Sequence, residues 1–523
     1  MENDHPMKQI LQNFKTGKIL VEEVPAPCCP PNGILVQTAF SLISAGTERS
    51  TIEVGQANLV GKARKRPDLV MQVISTVKRE GLKATVAKVT SRLDSWKALG
   101  YSASGVVIES QADKFKIGDR VACAGQDIAS HAEFISIPQM LACHIPSGVS
   151  LEDAAFTTLG AIAMQGVRQC DVRLGENVVI IGLGLLGLIS TQILKSSGCN
   201  VIGIDISDRN FQLAQQLGCD RCFEIDKITG REIEKYTGGI GADAVLITAS
   251  SKTSGPVRCA IDICRKRGRV VVVGDVAMNI PRSPFYEKEL DFRISCSYGP
   301  GRYDPNYELK GHDYPTAYVR WTEQRNMQSF LELIHHGSID VNKLISHRFE
   351  IGQANQAYDM ISGKAKQPYL GILFKYSNEP TIQRKALTKN ALVYNHDIKK
   401  LRLAVIGAGN FAKALLLPQL KSNPKVELIA ISDSNCTNAK FTAAKFGFNQ
   451  AFSDNKLVLE DPQIDAILIA TQHNTHAELA IEALRNKKHV YVEKPLALTV
   501  SDLKKVIQLA AELEGRCVLQ VGF

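Results

Sequence analysis

The chain has 523 residues, 45% of them hydrophobic and 22% charged, and 62 Lys and Arg against 53 Asp and Glu leave a formal charge of +9. That balance describes a globular protein of several domains whose cores are large enough to need neither disulfides nor metals. The mild positive charge suits anionic small molecules. With no basic stripe interleaved with aromatics, it argues against a nucleic-acid partner.

The densest basic stretch, Lys62–Arg66, reads as solvated surface. Thirteen scattered cysteines, an odd number, fit a reducing compartment better than a disulfide framework. The start MENDHPMKQ lacks the pattern of a signal peptide, and the most apolar run, Val178–Ile189, is too short to span a bilayer. The expectation is a cytoplasmic protein with no membrane insertion.

Residues 8–155 read as short strands between Gly and Pro punctuation, among them GKILVEEVPAP, NGILVQTAFSLIS and ASGVVIES. Residues 52–97 differ. Val70, Val73, Ile74 and Val77, then Leu82, Val86, Val89 and Leu93, fall at helical spacing, which predicts a two-helix insertion split near Gly81. Residues 156–295 alternate strand and helix. NVVIIG, CNVIGID, ADAVLITAS and RVVVVGDV are apolar runs typical of buried parallel strands, so a doubly wound α/β unit is expected. Residues 296–375 return to mixed texture, and 376–399 read as a polar linker without periodicity. A second α/β series fills 400–523, with LRLAVIGAG, VELIAISD, DAILIAT and KHVYVEK. The sequence stops in the apolar run RCVLQVGF and so reads as a fragment.

Gly182, Gly184 and Gly187 form G-x-G-x-x-G between a strand and a helix, with Leu185 opening the helix. The first glycine permits a tight turn, the second lets a diphosphate approach the backbone, and the third allows close helix–strand packing. The helix amides then face the phosphates. Asp205 ends the next strand, 23 residues after Gly182, where a carboxylate would meet ribose hydroxyls and repel a 2′-phosphate. NAD(H) is therefore favoured over NADP. The second series repeats the pattern with Gly407, Gly409 and Ala412, and with Asp433 26 residues after Gly407. Its helix carries a proline in LLLPQL, which makes it less regular. Thr471, His473 and His476 follow the next strand, and Glu493, Lys494 and Pro495 the one after, both facing the crevice where open sheets bind ligands. Thr471, His476 and Glu493 are candidate cofactor contacts. Lys494 is a candidate proton-transfer group. Cys219 and Cys222 form an isolated C-x-x-C, weighed as packing rather than metal or redox chemistry.

With SLISAGTE, LGYSASGVV, FKIGDRVAC, GLGLLG and ISHRFEIGQANQAYD, residues 8–375 resemble the medium-chain dehydrogenase/reductase family, the alcohol-dehydrogenase-like fold. With GAGNFA, ATQHNTH and VEKPLALT, residues 401–523 resemble the N-terminal part of the Gfo/Idh/MocA family. Together they are similar to bacterial bi-domain oxidoreductases, a likeness that extends to ANLVGKARKRPDLV, SYGPGRYDPNYELKGHDYP and YVRWTEQRN. The resemblance implies an α/β protein built from a GroES-like mainly-β catalytic domain (1–155, completed by 296–375) and two Rossmann domains with doubly wound parallel sheets (156–295 and 400–523). It also implies a sugar or sugar-nucleotide substrate in polysaccharide metabolism. A homo-oligomer is expected.

Two departures stand out. Ala45 replaces the family's cysteine zinc ligand and Tyr101-Ser102 its His-Glu, while the region after Val121 offers only Cys123 and Cys143 toward a structural zinc lobe. No zinc is expected. The chain also stops where the second family's substrate domain would begin. Without zinc, Tyr101 becomes the candidate proton donor or acceptor with Thr47 relaying, and Tyr298, Arg302, Tyr303 and Arg320 the candidate substrate contacts. Two other readings remain open: a non-catalytic NAD-binding scaffold, and an enoyl- or quinone-type reductase.

Overall fold

The computed structural model describes residues 6–56, 67–81, 85, 89, 95–377, 382–388 and 400–522. Four sheets organise them. The first half opens with a three-stranded sheet ordered Ile19–Val24, Met7–Asn13, Trp96–Ala98. Beside it lies a seven-stranded, mainly antiparallel sheet centred on Gly33–Leu42 and Ser102–Ser110. Strands Ile345–Glu350 and Gly371–Lys375 return to this sheet from late in the chain, so residues 345–375 complete the early β domain.

The apolar runs of the middle segment form a six-stranded parallel sheet. Its strands run, from edge to edge, Arg221–Glu224, Asn200–Asp205, Asn177–Ile181, Ala242–Ile247, Cys264–Val272 and Asp291–Ile294. The order in chain sequence is 3-2-1-4-5-6. Between strands 1 and 4 the winding reverses, and a crevice opens at their carboxyl ends. Val178, Val179, Ile180 and the neighbouring Val245 and Leu246 are fully buried, as strands covered by helices on both faces require.

The last segment repeats that order: Gln450–Phe452, Val426–Ser432, Leu401–Ile406, Ala466–Ile469, His489–Val492 and Leu519–Val521. A seventh strand, Lys385–Leu387, adds antiparallel to its edge through Gln450–Phe452. This strand lies in the stretch expected to be structureless linker. Three residues are too few to show alternation, so its pairing comes from the neighbouring edge rather than from its own pattern. Of the expected two-helix insertion, Pro67–Glu80 is a helix, while residues 57–66 and most of 82–94 lie outside the described residues. A helix not expected, Ala45–Gln56, precedes it.

The two halves touch. Trp96 stacks on Phe441 with ring centroids 4.5 Å apart and planes 10° from parallel. Thr437 donates to the Gln9 side chain at 2.9 Å, and Ser453 to the Ala26 carbonyl at 2.5 Å. A cavity of about 660 Å³ lies along this junction, walled by Gln9, Trp96, Lys97 and Asp127 on one side and by Ser434–Thr437 on the other.

Two candidate dinucleotide sites

The strand Asn177–Ile181 ends in Gly182 at φ 104°, a left-handed conformation natural to glycine. A side chain there would also meet the Ala249 backbone nitrogen at 2.7 Å. A Cβ on Gly187 would sit 1.9 Å from the Gly182 carbonyl oxygen, so only glycine lets the helix Leu185–Ser196 approach the strand this closely. Gly184 differs. A Cβ there meets nothing within 4 Å, and its φ of −75° suits any residue. Backbone geometry does not demand glycine at this position, and a side chain would fill open space there. The open face lies at the first turn of the helix, where unpaired amides attract phosphate.

Asp205, at the end of strand 2, accepts from the Leu183 amide at 2.6 Å and from the Ile206 amide at 2.6 Å. The carboxylate is thus anchored to the residue after the first glycine. Asn210, five residues on, donates to the Leu183 carbonyl at 2.8 Å and fixes the turn from its other side.

The second unit reproduces most of these features. Gly407 has φ 100°, and a Cβ there would meet the Ala470 carbonyl oxygen at 2.5 Å. Gly409 again faces open space. Asp433 accepts from the Ala408 amide at 2.7 Å. Asn438, five residues after the acid, donates to the Ala408 carbonyl at 2.8 Å. Ala412 is fully buried and starts a π-turn, Ala412–Leu416, that runs on into Leu417–Ser422 with its early proline. Sequence reasoning missed both asparagines. The signal available was their equal five-residue spacing from an acid in two otherwise dissimilar stretches.

At the other strand ends, Thr471 shares a hydrogen bond with Thr475 at 2.7 Å, and Glu493 accepts from Tyr491 at 3.2 Å. Lys494 is exposed at the crevice. His476 is fully buried, with Nδ1 2.8 Å from the Pro495 carbonyl and Nε2 3.2 Å from the Thr471 carbonyl. It ties the two loops together. Lys413, also missed, donates to Asn438 at 2.8 Å; burial lowers its ammonium, against the pull of Asp433.

In the first half, the Tyr101 hydroxyl donates to Ser44 Oγ at 2.6 Å, and Ser44 Oγ to Thr47 Oγ1 at 3.3 Å. Tyr101 and Thr47 are thus joined through Ser44, which sequence reasoning did not single out. Burial pushes the Tyr101 phenol up, keeping it protonated. Behind this chain lies Glu48, 3% exposed, accepting from the Ser44 amide at 2.9 Å and from Tyr358 at 2.5 Å. His131 faces Glu48 at 3.3 Å and Ser41 at 2.7 Å. Ala45 offers no donor atom, and the Ser102 hydroxyl is committed to the Ala155 carbonyl at 2.7 Å. The residues in the zinc-ligand positions therefore do not fit that metal.

Tyr298, Arg302 and Tyr303 do come together. The Arg302 guanidinium lies 4.2 Å from the Tyr303 ring centre and 5.3 Å from that of Tyr298. It is already paired with Glu308 at 2.6 Å, both side chains being nearly buried. Glu323, fully buried, completes the cluster with two unpartnered oxygens beside the unpartnered Tyr298 hydroxyl. Burial, with Glu308 adding repulsion, pushes the Glu323 carboxyl up to about 9. Arg320 stands apart from this group, stacked at 4.0 Å on Trp321, whose ring also meets Arg168 at 3.4 Å.

Two strand–glycine–helix turns, each backed by an acid and an asparagine, define a protein with two Rossmann units. Two stretches of the chain match family models. Residues 401–523 match the Gfo/Idh/MocA family, described as an oxidoreductase family with an NAD-binding Rossmann fold, and residues 186–309 match the zinc-binding dehydrogenase family. Among curated proteins, D-guloside 3-dehydrogenase of Shigella flexneri is 27% identical over 270 residues, which is 50% of this chain and 72% of that protein. Sorbitol dehydrogenase of Halalkalibacterium halodurans is 26% identical over 308 residues, 51% of this chain and 81% of that protein. Myo-inositol 2-dehydrogenase of Thermotoga maritima is 36% identical over 123 residues, 24% of this chain but only 36% of that protein. The solved structure of alcohol dehydrogenase TADH from Thermus sp. ATN1 aligns at TM-score 0.54 and 17% identity, covering 71% of this chain and all of that one; it shares the GroES-like dehydrogenase fold. One stretch of the chain is thus similar to zinc-binding dehydrogenases and another to the Gfo/Idh/MocA family. No helix among the described residues is long and apolar enough to cross a membrane.

Proposed function

We propose that the chain is an NAD-dependent, zinc-independent oxidoreductase that oxidises a sugar-derived alcohol or reduces the matching carbonyl, with the chemistry in the first half. The observation that carries this reading is the Tyr101–Ser44–Thr47 hydrogen-bond chain, built where relatives of the family hold zinc, in the same half as a complete glycine turn. The names of the matched relatives, which are dehydrogenases of a guloside, sorbitol and myo-inositol, support a polyol or sugar substrate. In this reading the chain works in polysaccharide metabolism, in the cytoplasm, as a homo-oligomer; the resemblance to bi-domain oxidoreductases supports the first of these.

In this reading Gly182, Gly184, Leu185, Gly187 and Asp205 would hold the first NAD(H), which would supply the hydride acceptor or donor. When the carbonyl is reduced, Tyr101 donates its proton to the substrate oxygen and is reprotonated from solvent through the Ser44 and exposed Thr47 hydroxyls; oxidation runs the same path in reverse. The Tyr101 phenol, raised by burial, remains a donor at neutral pH. Hydrogen-bond donation then stabilises the developing oxyanion, the part a metal plays in zinc enzymes. Tyr298, Arg302 and Glu323 bound the substrate side; Arg302 meets an anionic substrate only by sharing Glu308. The second turn, with Gly407, Gly409, Ala412, Asp433, Thr471, Glu493 and Lys494, holds a second NAD(H).

Measuring NADH formation across a panel of sugars and polyols tests the proposal. Turnover of at least one, abolished in Tyr101→Phe while NAD still binds, is expected. Full activity in Tyr101→Phe would overturn the assignment. NAD binding without turnover of any substrate would favour the scaffold reading.

A further inference from the structure

We propose that Cys219 and Cys222 form a reversible dithiol–disulfide site whose oxidation weakens dinucleotide binding at the first glycine turn. The location of its effect rests on the cofactor reading of that turn. The two sulfurs lie 3.6 Å apart, in direct hydrogen-bond contact, and both thiols are free. A disulfide needs about 2.05 Å, so closing it takes roughly 1.5 Å of combined movement. Cys219 is 4% exposed, while Cys222 is partly exposed on the edge strand Arg221–Glu224, open to a small oxidant. The Cys219 thiol beside it lowers the Cys222 thiol, whereas Cys222 and burial raise Cys219. Cys222 is therefore the attacking thiolate and Cys219 the resolving thiol.

The position of the pair connects it to the cofactor turn. Strand Arg221–Glu224 runs beside Asn200–Asp205, with Cys222 opposite Gly203. A Cβ on Gly203 would lie 3.1 Å from Cys219 Sγ, so this sulfur packs against the strand two residues before Asp205. Cys222 Sγ also reaches the Phe211 carbonyl at 3.8 Å. The preceding residue, Asn210, is the clamp on the Leu183 carbonyl. Drawing the sulfurs together pulls Cys222 away from Phe211 and shifts Cys219 under the strand that carries Asp205. Both supports of the glycine turn are then disturbed.

With a peroxide as oxidant, the chemistry closes in two steps. The Cys222 thiolate attacks one peroxide oxygen, the O–O bond breaks, and a sulfenic acid forms as hydroxide leaves. The Cys219 sulfur then attacks the Cys222 sulfur and expels hydroxide, which departs as water with the Cys219 proton. Two thiols and one hydrogen peroxide give one disulfide and two waters. A thiol reductant reverses the change.

Arg221 lies between the two cysteines, so trypsin separates residues 210–221 from 222–227 unless a disulfide joins them. The full chain, reduced and then treated with hydrogen peroxide, is alkylated, digested and analysed by mass spectrometry. In parallel, NADH binding is titrated by calorimetry in both states. The joined peptide pair, two hydrogen masses lighter than the sum of its parts, is expected. One of the two NADH sites should weaken about fivefold or more while the other stays unchanged, with recovery on reduction. Cys222→Ser, and Cys219→Ser as a second variant, should abolish both effects. Separately alkylated Cys219 and Cys222, after exposed Cys296 has been oxidised, would overturn the proposal. So would a joined pair that leaves both NADH affinities unchanged. A reduced chain that binds no NADH would instead sink the cofactor reading, while the joined peptide would still decide whether the dithiol pairs.

Discussion

Replacing Glu323 by glutamine should make the first half more stable as the pH rises. The carboxyl is fully buried, and neither of its oxygens has a hydrogen-bond partner. Burial, then repulsion from Glu308, lifts it from 4.5 to about 9, with Arg302 only partly offsetting them. In the folded chain it therefore keeps its proton at neutral pH, whereas in the unfolded chain it loses it above about 4.5. The unfolded state is thus favoured increasingly as pH climbs from about 4.5 to about 9, and the penalty is constant beyond that. Each pH unit within the window costs up to about 1.4 kcal/mol. Relaxation around a buried charge scales this down. If half survives, about 2 kcal/mol is lost between pH 5 and pH 8, worth roughly 4 to 8 degrees of melting temperature in a domain of this size. Glutamine keeps the shape and cannot ionise. Thermal unfolding followed by the fluorescence of Trp321, two residues away, should show the decline in the wild type and a flatter profile in Glu323→Gln. Parallel profiles would refute the reasoning.

Other expectations follow from the same geometry. Gly184→Val should fold normally, since its Cβ meets open space, yet reduce NADH affinity at the first site about tenfold or more, about 1.4 kcal/mol by calorimetry. Gly187→Ala differs, because its methyl group strikes the Gly182 carbonyl; loss of soluble folded protein or of several degrees in melting temperature is expected. Asp205→Ala removes the anchor on the Leu183 amide and the repulsion of a 2′-phosphate, so the ratio of NADH to NADPH affinity should fall in competition binding. Tyr101→Phe should lower kcat by about a hundredfold or more, with the NAD dissociation constant unchanged.

What could be read in the sequence was what repeats over short spans. Buried parallel strands announce themselves as unbroken apolar runs, and the two glycine turns as spaced small residues between strand and helix. Asp205 and Asp433 were legible because each closes such a strand. Glu323 was not, because its stretch reads as an ordinary polar helix and only the folded chain shows that this carboxyl is enclosed. Asn210 and Asn438 look like surface polar residues in helical text; each gains meaning from a carbonyl about 30 residues away in sequence. The Ser44 link between Tyr101 and Thr47, and the Glu48–His131 pair behind it, depend on contacts across 57 and 83 residues that no local pattern encodes. The sequence did mark Arg302 and Tyr298 as neighbours, but not that Glu308 already neutralises the arginine.

The most direct measurement is the stoichiometry of NADH binding to the full chain, by calorimetry, in the wild type, Gly184→Val and Gly409→Val. Two sites per chain are expected, with each variant losing a different one and keeping the other at wild-type affinity. Titrations without heat from well-folded wild-type protein, or variants that both leave two intact sites, would contradict the account.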